Sequence, residues 1–228
     1  MKTTTRWTGI ALFAATGALA GSSLVMSGCN IAAAAFYIVH GPDEKVPAKF
    51  TLPPDKTTVV FVDDRNNRLP SRDLREMIAS AAGQLLLEEG AVVDLVDPRG
   101  AIAAAAKDRF GEPMTISEIG RSVGATTVVY VTIDGFALSS DGQSVSPVTK
   151  MRVKVIDAQT ETRLWPPEQE GYPLGVQSPP RQGTMQNSAA ELYAARQEAA
   201  GRAGLGIAQL FTGYIDRYGA DKSTKATQ

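Results

Sequence analysis

Short β-branched runs alternate with helically spaced apolar positions along the first two thirds of the chain. Thr57–Val62 is apolar on both faces, which predicts a buried central strand. After a polar turn, Leu74, Met77, Ile78, Ala81, Leu85 and Leu86 recur at helical spacing, with Ser71 placed to cap and Gly90 to stop the helix. Ala91–Val96 predicts a second strand. Asp97 followed by Pro98 predicts a cap and first turn, opening an alanine-rich helix to about Lys107. Thr115-Ile-Ser-Glu118 is a capping box for a short helix ended by Gly124, and Thr126–Leu138 reads as a third strand. Val148–Ile156 predicts a fourth, and a turn at Asp157–Thr160 leads to a short fifth ending near Trp165. A second capping box, Ser188-Ala-Ala-Glu191, opens a long helix with Leu192, Ala195, Ala199, Ala203, Ile207, Leu210, Phe211 and Tyr214 on one stripe.

This order predicts an α/β fold: a small mixed sheet, parallel crossover units plus an antiparallel hairpin, packed by about four helices. The domain is expected over residues 57–218, with a polar, unordered tail at 219–228. Residues 40–56 carry His40, Gly41, Pro42, Pro47, Pro53 and Pro54 and read as an extended linker. Residues 166–187 hold five prolines without periodicity and predict a long loop.

The amino terminus changes the picture. Lys2 and Arg6 precede an uncharged stretch from Thr8 to Val25, followed by Met26, Ser27, Gly28 and Cys29. Small residues directly before the only cysteine resemble a bacterial lipobox, which implies a diacylglycerol on the Cys29 sulfur and removal of residues 1–28 as a signal peptide. Further acylation would make attachment stable, at about 0.8 kcal/mol per buried methylene. The alternative is an uncleaved anchor over residues 8–39, because Ile31–Val39 continues the apolar run. Asn30 follows the cysteine where some bacterial inner-membrane signals have Asp, which points to the outer membrane. Residues 29–56 are then the lipidated terminus and linker, facing the periplasm.

Composition narrows the chemistry. Net charge is -1, and removal of residues 1–28 leaves 21 basic and 24 acidic side chains. That balance argues against nucleic acid as a partner. One Cys and one His exclude a disulfide framework and a Cys/His zinc site. No cofactor, metal or nucleophile–base pair is expected, and the chain reads as non-catalytic. Asp63 and Asp64 past the first strand are more simply turn bonds than a metal site. Gly201, Gly204 and Gly206 lack the dinucleotide spacing and suit close helix packing. Lys150, Arg152 and Lys154 alternate with apolar residues, either as a solvated sheet face or as a partner contact. Trp165 and Tyr172 beside prolines are either partner-docking aromatics or a cap on the core.

Ser117–Ile133, with Gly-Ala before a strand, followed by Met151–Thr160 and Trp165, resembles the curli-secretion lipoproteins of the CsgG type and the related TolB amino-terminal fold. Glu161 stands where that pattern usually has Gly. The resemblance implies an α/β domain on an outer-membrane lipid anchor, serving envelope assembly, secretion or trafficking as a scaffold or adaptor for an envelope protein. A pore-forming oligomer and a periplasmic small-ligand-binding module are the competing readings, and self-association stays open.

Overall fold

The computed structural model describes residues 44–107, 112–139, 145–179 and 188–216. The leader with Met26, Ser27, Gly28 and Cys29, and the tail from 219, lie outside them. The elements in chain order are β1 (Glu44–Val46), β2 (Thr58–Asp63), α1 (Asp73–Glu88), β3 (Leu95–Val96), α2 (Pro98–Ala105), α3 (Ile116–Ser122), β4 (Thr127–Ala137), β5 (Val148–Asp157), β6 (Arg163–Trp165), β7 (Tyr172–Gln177), α4 (Ala189–Thr212) and β8 (Tyr214–Asp216). The fold is α/β. One sheet runs β3-β2-β4-β5-β6, with β7 beside β6 on the outer edge of β5. β2 pairs in parallel with β3 and β4, while β5 is antiparallel to β4, β6 and β7.

All six residues of β2 are buried, because helices lie on both sides of it. Val60 and Val62 join Val129, Val131, Met151 and Val153 under α1 and α4. Val59 and Phe61 join Val128, Tyr130 and Ala158 under α2 and α3. The helix starts follow local chemistry. Asp97 accepts a bond from the Arg99 amide, and the Thr115–Glu118 and Ser188–Glu191 capping boxes are both formed. The first helix differs: Ser71 does not cap it, and Arg72 at the cap position makes no side-chain bond to the helix. Gly90, at φ +69°, ends α1 with the Ala91 amide bonded to the Leu86 carbonyl. The second strand is shorter than its sequence suggests. Only Leu95 and Val96 pair with β2.

Two segments expected to be irregular are built into the body. Residues 44–56 are not a free linker, and the compact unit begins at Glu44 rather than at residue 57. β1 pairs with β8, the Lys49 amide donates to the Leu210 carbonyl at 2.7 Å, and Leu52 is 1% exposed. Pro47, Pro53 and Pro54 favour an irregular stretch, but Phe50 and Leu52 supply apolar anchors to the core. Gly213 makes the approach feasible, since a Cβ there would sit 2.7 Å from the Val46 carbonyl oxygen. The second correction concerns residues 166–187: Tyr172–Gln177 forms β7 against Val148–Val153 of β5. Pro173 and Gly175 hid this strand; at a sheet edge both are tolerated.

Gly204 lets α4 cross α1 closely, because a Cβ on it would lie 2.6 Å from the Ala81 Cβ and 2.8 Å from the Ala82 amide nitrogen. Gly206 faces Val176 of β7 in the same way, whereas Gly201 faces open space.

This packing is testable at two positions. Leu52→Ala lowers unfolding stability by about 2–5 kcal/mol in urea titrations; a loss within the error of measurement would mean that residues 44–56 do not belong to the folded body. Gly204→Val costs about 1–3 kcal/mol through overpacking against α1, whereas Gly201→Ala is neutral or stabilising by up to about 1 kcal/mol.

Candidate functional site

Among the described residues, helices cover the second face of the sheet only over its parallel half. On that face the apolar cluster reaches Tyr130 on β4 and Ile156 on β5. Beyond it, the open surface of β4, β5 and β7 carries Lys150, Arg152 and Lys154, each one residue out of phase with the buried Met151, Val153 and Val155. The strand period of two therefore places all three cations on one face. A register shift between Ile133 and Gly135 leaves Asp134 as an extra residue in β4. Its carboxylate accepts two bonds from Arg152, at 2.7 and 2.8 Å. The pair is partly exposed, so its net contribution to stability is about 0–1 kcal/mol. Lys150 is exposed. Lys154 is half-buried, and partial burial, with Arg163 and Arg152 nearby, holds its ammonium below the usual lysine range. Glu170 offsets part of this repulsion. The patch is thus a row of cations with more positive charge than its own carboxylates neutralise.

Trp165 and Tyr172 have a different place. Trp165 is 9% exposed and packs against Phe50, Tyr172 and Phe211 at ring-centroid distances of 6.1, 5.0 and 5.8 Å. The expectation of Trp165 as a partner contact is corrected: its indole is a closing piece of the core. Tyr172 is half-buried on the same cluster.

A second concavity lies at the carboxyl end of β2, where open α/β sheets commonly hold ligands beside a reversal of strand order. Here β3 and β4 flank β2 on opposite sides, which creates that reversal. The cavity has a volume of about 330 Å³. Asp63, 5% exposed, accepts a 2.6 Å bond from the Tyr130 hydroxyl and a 2.8 Å contact from Arg65 Nε. Asp64 turns its carboxylate to the amides of Arg68 and Leu69, at 2.7 and 2.9 Å. The two carboxylates are turn and core bonds, and no group of three or more His, Cys, Asp or Glu side chains suited to a metal occurs among the described residues. Burial, followed by the bond to Asp63, pushes the Tyr130 phenol up to about 12.

Sequence reading missed Arg72, Arg75 and Tyr130 here. A signal was present: Arg65, Arg68, Arg72 and Arg75 are spaced three, four and three apart around the start of α1. Nothing in the sequence showed that a cavity lay beside them. Among the described residues no helix is long and apolar enough to cross a membrane.

No family model matches the sequence, and no curated protein matches it. Solved structures that resemble it include the PelC dodecamer from Paraburkholderia phytofirmans, 15% identical with a TM-score of 0.39 over 75% of this chain and 94% of that one. Lipoprotein GNA1162 from Neisseria meningitidis is 15% identical, with a TM-score of 0.34 over 63% of this chain and 94% of its own. Hypothetical protein CT253 from Chlamydia trachomatis is 18% identical, with a TM-score of 0.38 over 68% and 91%. None of these three is described as a curli-secretion or TolB protein. Identities and TM-scores this low leave function to the chain's own residues.

The Tyr130–Asp63 bond has a measurable signature. With its folded value raised to about 12 above the ordinary value of about 10, the phenol's contribution to stability is complete below about pH 10 and is lost as pH rises through the folded value. Urea titrations from neutral to strongly alkaline pH should show a steeper loss for the parent chain than for Tyr130→Phe. Parallel curves for the two would remove the proposed coupling.

Proposed function

We propose that the chain is a membrane-anchored, non-catalytic lipoprotein that acts as a scaffold or adaptor in the bacterial cell envelope, held at the outer membrane by acylated Cys29 and docking an acidic envelope protein. The observation that carries this reading is the uncovered cationic face of β4, β5 and β7, on a body whose sequence places a lipobox upstream. Lys150, Lys154 and the Arg152–Asp134 pair lie together on one face of paired strands. An acidic partner would relieve the mutual repulsion of Lys154, Arg163 and Arg152, and complementary charge of this kind steers association and sets orientation. The lipid tether supplies the second half of the argument by confining the surface to a thin layer beside the membrane. Two acyl chains or more make that attachment durable.

Photo-crosslinkers placed on this face in intact cells test the reading. Lys150→Glu combined with Lys154→Glu should abolish the neighbour captured by the parent chain while leaving the fold unchanged by circular dichroism. Cys29→Ser should release the protein from the membrane fraction. An unchanged neighbour in the charge-reversed variant overturns the docking face, and membrane retention of Cys29→Ser overturns the anchor.

A further inference from the structure

The crevice at the carboxyl end of β2 is separate from the cationic sheet face and takes no part in the scaffold reading. Its lining carries three guanidiniums, Arg65, Arg72 and Arg75, against the carboxylates of Asp63 and Asp64. Arg65 is already paired with Asp63, and both oxygens of Asp64 accept main-chain amides. Arg72 and Arg75 form no ion pair among the described residues. Asp73 and Glu76, the acids in the first turn of α1, do not line the cavity, and Glu76 lies 3.7 Å from Arg99 instead. Among the described residues, two guanidiniums three residues apart at a helix start therefore line the cavity without an ion-pair partner. Residues at that spacing are surface neighbours.

The opposite wall is apolar. Phe61, Ile102, Met114 and Ile119 contribute to it, and Ala105 and Ala106 at the end of α2 are too small to fill the space. A volume of about 330 Å³ falls at the lower end of the range for small-molecule sites, about 300–1,000 Å³. The loop between β2 and α1 is held in place by the two bonds to Asp64 and by Asn67, at φ 49°. These bonds fix the backbone that leads from Asp64 into the start of α1.

We propose that this crevice binds a phosphomonoester with a short apolar group, the phosphate on Arg72 and Arg75 and the apolar part against Phe61, Ile102 and Met114. The charge match selects this class. A phosphomonoester carries about -1.5 to -2 at neutral pH and three acceptor oxygens, enough for two planar forks, each of which fits phosphate in a bidentate manner. A monocarboxylate offers one charge and two oxygens. The same chemistry could come from a soluble phosphomonoester or from the monoester headgroup of phosphatidic acid.

Calorimetric titration of the full chain in detergent tests the site, with hexyl phosphate as probe and hexanoate as comparison. Hexyl phosphate should bind saturably and more tightly than hexanoate. Arg72→Gln alone should weaken it by at least about tenfold, and Arg72→Gln with Arg75→Gln should abolish it, while Arg202→Gln on α4, outside the crevice, changes nothing. Arg72 is exposed, so its single substitution leaves the fold intact and keeps the test meaningful if the double variant unfolds. Tighter binding of monomeric dihexanoyl phosphatidic acid than of hexyl phosphate, with the same arginine dependence, assigns the anion to a lipid; the reverse order assigns it to a soluble ester. Absence of saturable hexyl phosphate binding at millimolar concentration, hexanoate binding as tightly as hexyl phosphate, or binding indifferent to Arg72, overturns the proposal.

Discussion

Val59 and Phe61 on one side of β2, and Val60 and Val62 on the other, cannot all leave water unless helices lie on both faces of the sheet. That requirement sets the layer order. A parallel pair needs crossover connections, and right-handed crossovers to opposite sides of β2 deliver α1 to one face and α2 with α3 to the other. No such demand exists at β5, whose alternation of Met151, Val153 and Val155 with Lys150, Arg152 and Lys154 buries one face only. Both the crevice and the cationic face follow from this asymmetry. The crevice sits where the doubly covered half ends, beyond the carboxyl end of β2. The cationic face sits where the second helical layer stops.

The aromatic group around Trp165 joins parts of the chain that lie far apart in sequence. Phe50 comes from the segment after β1, Tyr172 from β7 and Phe211 from the last turn of α4. Each large aromatic side chain buried there contributes roughly 1.5–3 kcal/mol. The cluster therefore fastens the incoming chain, the outer sheet edge and the carboxyl-terminal helix at one point. β1, just before Phe50, is in turn paired with β8, just after α4.

Glu161 shows how a local departure from an expected glycine is accommodated. It lies in the turn between β5 and β6 at φ 60°, a conformation that costs a non-glycine residue about 1–2 kcal/mol. Its carboxylate meets Arg121 Nη1 at 2.8 Å, and the same guanidinium donates to the Ala158 carbonyl at 2.8 Å. An exposed pair of this kind returns about 0–1 kcal/mol. The bond ties α3 to the β5–β6 turn but does not by itself offset the backbone cost.

What local sequence could decide, it decided well. Asp97–Pro98, Thr115–Glu118 and Ser188–Glu191 mark helix starts because each cap satisfies an amide within a few residues of itself. The β-branched runs mark β2, β4 and β5 because strand period and burial are written into neighbouring positions. Long-range pairing decided the rest. Tyr172–Gln177 is a strand only because β5 has an open edge to receive it, and Leu52 is core only because α4 ends beside it. Trp165 turned inward because Phe50 and Phe211 were waiting there. The crevice of Arg72 and Arg75 exists because α1 and α2 diverge around β2, which no spacing along the chain could reveal.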